Sequence, residues 1–242
     1  MKTLGLIGGM SWESTVPYYR IINEVVRERL GGLHSARIIL YSVDFHDIER
    51  LQQAADWDKA GQALAEAARS LAAAGADGLM LCTNTMHKVA PAIEAAVTLP
   101  LLHIADPTAA AIKRAGLRTI GLLGTRFTME QDFYRGRLTA QHGLAVRIPE
   151  VTDREIVHRV IYEELCLGQI REDSRMRYRQ IMQRLIDAGV EGIILGCTEI
   201  ALLIRSADAP APLFDTTDLH ARYAAAWALE EERPLSSEGA QD

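Results

Sequence analysis

The 242-residue chain sets 26 Lys and Arg against 32 Asp and Glu, a formal charge of −6, with 48% apolar and 24% charged residues. That ordinary globular balance excludes a phosphate-tracking nucleic-acid surface, which needs clustered cations; the densest basic stretch, Arg171 to Arg184, alternates with acids as a solvated helix face does. No early apolar segment reads as a leader and no apolar run is long enough to span a bilayer, so the expectation is a cytoplasmic protein with no membrane partner, long enough for one large α/β domain or two smaller ones.

In chain order, Leu4 to Ile7 reads as a first strand, and Gly8-Gly9-Met10-Ser11 follows it as a tight turn whose N–H groups suit an anion at a helix start. The spacing Gly5-x-x-Gly8-Gly9 is not that of a dinucleotide loop, and the first strong acidic candidate for a ribose hydroxyl, Asp44, comes well past the expected distance of about 20 positions. Further strands are predicted over Arg37 to Ser42, Gly78 to Leu81 and Leu101 to Ile104. Between them the clearest helix is Asp58 to Ala74, with Leu64, Ala67, Ala68 and Leu71 on one face, Asp58 as N-cap and Gly75 as the stop. In the second half, strands are predicted over Thr119 to Leu123, Val146 to Ile148, Gly192 to Leu195 and Leu213-Phe214, followed by a helix over Thr217 to Glu231 and a polar tail, Leu235 to Asp242. Strand alternating with helix implies a mainly parallel sheet with right-handed crossovers.

The two halves repeat. Ala74-Gly75-Ala76-Asp77-Gly78-Leu79-Met80-Leu81-Cys82-Thr83 is echoed by Ala188-Gly189-Val190-Glu191-Gly192-Ile193-Ile194-Leu195-Gly196-Cys197-Thr198, and Leu4-Gly5-Leu6-Ile7-Gly8 by Ile120-Gly121-Leu122-Leu123-Gly124. Pseudo-symmetric lobes are therefore expected: residues 1–106, joined by a last helix at about 217–231, and residues 107–216, with the tail at 235–242 flexible. Three cysteines with no Cys-x-x-Cys pair form neither a disulfide framework nor a zinc site, so no metal is expected. Burial is the default for a free cysteine, and Cys166 has only that reading. Cys82 and Cys197 stand at predicted carboxyl ends of parallel strands, where open α/β sheets bind ligands, and a pseudo-twofold axis would set the two thiols across one cleft. Thr83 and Asn84 suit helix capping and carboxylate binding, while Glu199 offers a carboxylate to take a thiol proton. His87 reads as a structural residue and Lys88 as a solvated one.

Leu4-Gly5-Leu6-Ile7-Gly8-Gly9-Met10-Ser11, Cys82-Thr83-Asn84-Thr85 and Gly196-Cys197-Thr198-Glu199 resemble the three signatures of the aspartate/glutamate racemase superfamily, in order and over nearly the whole chain. The resemblance implies two Rossmann-like lobes, an active site in the cleft between them, a homodimer, an amino-acid substrate, and racemisation without a cofactor by two opposed cysteines, Cys82 and Cys197. It carries Met10, Thr83, Asn84, Thr85, Thr125 and Thr198 over as substrate-binding residues, with Ser11 and Glu199 in support. Pyridoxal phosphate is not called for: Lys2, Lys59, Lys88 and Lys113 give no convincing Schiff-base candidate.

Gly8-Gly9 and Thr198-Glu199 resemble the aspartate-racemase-like branch, with one departure. Where strict aspartate racemases carry an Arg and a Lys for the side-chain carboxylate, this chain has Ile48 and Cys166. Other segments resemble a broad-spectrum branch, in which Gln52 is a polar substrate contact. A relaxed range that includes homoserine beside aspartate and glutamate is the expectation, with Arg50 and Arg126 as cations able to restore acid selectivity. A diacid isomerase or decarboxylase on the same lobes, or a non-catalytic binding protein, are the rival readings.

Overall fold

The computed structural model describes residues 1–230; the expected tail at 235–242 and residue 231 of the last helix lie outside the described residues. The first half gives β1 (Leu4–Gly8), β2 (Ile38–Ser42), β3 (Gly78–Leu81) and β4 (Leu101–Leu102). The second gives β5 (Thr119–Gly124), β6 (Ala145–Arg147), β7 (Gly192–Gly196) and β8 (Leu213–Asp215). They form two four-stranded sheets, β2-β1-β3-β4 and β6-β5-β7-β8, in which every pair is parallel. The architecture is α/β with two pseudo-symmetric Rossmann-like lobes.

The short buried runs of β1, β3, β5 and β7 are covered on both faces, as parallel strands require. Alternation along a strand sends neighbours to opposite faces. Leu79 and Leu81 thus join the core under α3 (Trp57–Ala73), with Leu64, Ala68 and Leu71. Leu4, Leu6 and Met80 join Tyr18, Ile22 and Val25 of α1 (Trp12–Leu30) on the other face. The helix read from Asp58 is capped two residues earlier: the Asp56 carboxylate accepts from Lys59 N–H at 3.2 Å, leaving Asp58 in the first turn. Gly75, at φ +90°, ends that helix as predicted. Strand β4 stops at Leu102, short of Ile104, because the next helix N–H, on Ala105, finds the His103 ring Nδ1 at 3.2 Å. The segment after it is α5 (Ala105–Arg114), which leads to β5.

Helix α11 (Thr216–Leu229) follows the last strand of the second sheet and packs on α1 of the first half. Ala221, Ala224, Ala225 and Ala228 lie in the same core cluster as Tyr18 and Ile22, small side chains that let the two helices approach closely. Among the described residues no helix is long and apolar enough to cross a membrane.

Candidate active site

The carboxyl ends of β1, β3, β5 and β7 meet in a dense set of contacts between the halves, and the register of the two ladders decides which side chain arrives there. In the first sheet Ile7 pairs with Leu81; in the second Leu123 pairs with Leu195 and Gly124 with Gly196. Matching Ile7 to Leu123 makes Gly196 the counterpart of Cys82 and Thr83 the counterpart of Cys197. A side chain at residue 196 is excluded, since a Cβ there would sit 2.5 Å from Leu122 Cδ1 and 2.8 Å from the Leu123 carbonyl oxygen.

Cys82 continues the alternation of β3 and falls on the side of Met80, in the core with Leu4, Leu6, Tyr18 and Ile22, at 0% exposure. Its backbone N–H still extends the ladder to Ile7 O at 2.9 Å. Burial holds its thiol well above the ordinary cysteine range. Cys82 and Cys197 are each the first residue after a strand, and each lies in a buried cluster, Cys82 in the first-half core and Cys197 in the second.

Cys197 is 7% exposed and donates its thiol proton to Glu199 Oε2 at 2.8 Å. Burial and then the Glu199 charge hold this thiol well above its usual range. Glu199, 2% exposed, also accepts from Thr198 Oγ1 at 2.9 Å and, across the cleft, from Ser11 N–H at 3.2 Å and Ser11 Oγ at 2.8 Å. Four donors around one buried carboxylate satisfy it without a cation. Cys166, which composition left as a mere core residue, lies in the turn after α8 (Val151–Glu163); burial, Glu199 and Glu13 together raise its thiol.

The remaining expected residues also bridge the halves. Thr85 Oγ1 lies 2.9 Å from Thr125 Oγ1, which in turn caps α6 (Arg126–Glu130) through Thr128 N–H. Asn84 Nδ2 donates to Thr216 Oγ1 at 3.0 Å, and its Oδ1 is buried with no hydrogen-bond partner. Thr83 is buried, and its carbonyl oxygen takes the Nδ1–H of His87 at 2.7 Å, while His87 Nε2 accepts from Ile104 N–H at 3.3 Å. His87 is structural, as its residue type suggested; Lys88, read as solvated, is instead half-buried over the Trp57 ring and donates to Gln131 Oε1 at 2.6 Å. Met10 is buried in the first-half core beside Ile48.

Gln52, on α2 (Phe45–Gln53), is 3% exposed and accepts from the Tyr162 hydroxyl of α8 at 2.8 Å. Tyr162 was invisible to motif reading because its role depends on the opposite half. Arg50 points into solvent beside Asp47, and Arg126 is exposed.

Two parallel α/β lobes with thiol, carboxylate and hydroxyl side chains gathered where the two halves meet define a class of two-lobed α/β proteins. The chain belongs to the Asp/Glu/hydantoin racemase family, whose sequence pattern it matches over residues 7–224. It is 64% identical to a protein from Yersinia pestis described as a candidate Asp/Glu racemase, with a TM-score of 0.88 over 95% of this chain and all of that one. It is 35% identical to an aspartate racemase homologue from Pyrococcus horikoshii, with a TM-score of 0.81 over 95% of this chain and 100% of the other. A further relative, the broad specificity amino-acid racemase RacX of Bacillus subtilis, is 20% identical over 88% of this chain and 92% of its own. The protein is an amino-acid racemase, an isomerase.

Proposed function

We propose that this racemase works without a cofactor through two cysteines, Cys82 and Cys197, as proton donor and acceptor on opposite faces of the substrate. The observation that carries the reading is that each thiol stands directly after a central strand, β3 or β7, with Cys197 hydrogen-bonded to Glu199. A free amino acid is held by its carboxylate on the Thr83 to Thr85 and Thr198 donors, and its ammonium group supplies the donor that the buried Asn84 Oδ1 lacks. The Cys197 proton passes to Glu199 Oε2, breaking S–H and forming O–H, and the thiolate takes the α-proton. The carbanion, stabilised as an enediolate by the carboxylate donors, takes a proton from the Cys82 thiol on the opposite face; Cys197 is left as thiol and Cys82 as thiolate, and the proton held by Glu199 returns through solvent to Cys82.

Burial opposes thiolate formation, so the adjacent proton acceptor is essential to this scheme. The equilibrium lies midway between enantiomers, so kcat/KM is equal for both; the inequality of the pair shows only in kcat and KM taken separately.

The side-chain end supports neutral polar substrates. Ile48 is buried in the core, Cys166 sits by Glu199 and Glu13, and Arg50 faces solvent, so the place of a carboxylate clamp is acidic or apolar. Homoserine belongs in the range alongside, or ahead of, aspartate and glutamate. The lobes we assign as residues 1–106 with 217–230, and 107–216. The exposed α1 stripe of Trp12, Val16 and Tyr19 supports the homodimer. The test is racemisation of L- and D-amino acids in D2O, followed by chiral chromatography and mass spectrometry. Solvent deuterium at Cα with both enantiomers formed is expected; loss of carbon dioxide, or tight binding with no exchange, overturns the reading.

A further inference from the structure

Gln52 and Tyr162 come from opposite halves, and their contact fixes which end of an amide faces the substrate. The Tyr162 hydroxyl donates to Gln52 Oε1 at 2.8 Å, so the carbonyl end of the amide is spoken for. The amino end, Nε2, lies 3.0 Å from Met86 Sδ. A thioether is a weak acceptor, which an oxygen readily displaces. Tyr162 is held in turn by stacking on Phe45, with ring centroids 6.4 Å apart, and by the His158 ring at 4.9 Å. Tyr162 packs against the same core cluster that holds Cys197, and burial followed by the Cys197 charge raises its hydroxyl.

We propose that Tyr162 is a positioning residue for substrate specificity: by occupying Gln52 Oε1 it presents the Gln52 N–H groups as a donor to one acceptor oxygen on the substrate side chain. The inference rests on the racemase reading above and deepens it. The side-chain subsite takes amino acids ending in a hydroxyl, carboxamide or carboxylate oxygen and discriminates against those of the same length ending in methyl, because an unanswered buried donor costs more than a missing apolar contact gains. Without the tyrosine hydroxyl the amide is free to turn, and the subsite loses that preference.

The test compares kcat/KM for homoserine with that for norvaline, which replaces the terminal hydroxyl by methyl. In the wild-type enzyme homoserine is favoured at least a hundredfold. Tyr162→Phe lowers that ratio by about tenfold, with the loss in KM for homoserine rather than in kcat. Gln52→Leu brings the ratio near unity and serves as the second arm if Tyr162→Phe does not fold, as judged by near-UV circular dichroism and Tm. Equal losses on both substrates in Tyr162→Phe, or an unchanged ratio in a folded Gln52→Leu, overturn the proposal while leaving the racemase reading intact. Failure of the wild-type enzyme to exchange any α-proton overturns both.

Discussion

The ends of β3 and β7 share one backbone register and carry different chemistry. β3 ends at Leu81 and β7 at Gly196, so each is followed at once by a cysteine, but Cys82 lies in the first-half core at 0% exposure and Cys197 in the second-half core at 7%. Only the second brings a carboxylate, Glu199, within hydrogen-bond reach of its thiol. Internal symmetry of a fold thus constrains where reacting atoms are placed without making the two placements chemically equal.

Substitutions at these two ends break the comparison in a graded way. Cys197→Ala is expected to lower racemisation and α-deuterium exchange by at least a thousandfold, with Tm little changed, since it removes the thiol acid–base group outright. Cys82→Ala should do the same, since every turnover needs a proton group on each face. Near-normal turnover by either variant would end the two-thiol mechanism. Thr83→Ala should cost about a hundredfold in kcat, by removing a donor to the substrate carboxylate as it becomes an enediolate.

Glu199→Gln keeps the volume and most hydrogen bonds but removes the proton acceptor, so kcat should fall ten- to a hundredfold and the pH at which activity rises should move upward. A separate effect concerns acid stability. Burial lowers His103 to about 3 and His220 to about 4, and lowers His87 too. Each binds its proton more readily in the unfolded chain, so their contribution is complete above about pH 6.5 and declines as pH falls toward the folded values. His103 and His220 should each cost about 2 kcal/mol by pH 5, measurable as a falling urea midpoint.

Most of the fold was legible because each strand is a short apolar run between glycine-stopped helices, and all eight predicted strands are present. The misplaced N-cap, Asp58 for Asp56, shows that propensity finds a helix more surely than its first hydrogen bond. Within the site, Thr85, Thr125, Thr198, Asn84, Ser11 and Glu199 all enter contacts at or across the cleft. Tyr162 and Cys166 escaped because what matters about them is a partner more than thirty residues away in sequence.

Helix α11 has a consequence for the order in which the molecule can be made. Residues 1–106 leave the ribosome first, but the α1 face bearing Tyr18, Ile22 and Val25 is covered by Ala221, Ala224, Ala225 and Ala228. That cover is synthesised roughly 110 residues later, a delay on the order of 5 to 20 s at ordinary translation rates. The second-half core, by contrast, is built from a nearly continuous stretch, Ile104 to Phe214. The lobe translated first is therefore the one completed last, and during synthesis its open helix face is the surface a chaperone would meet.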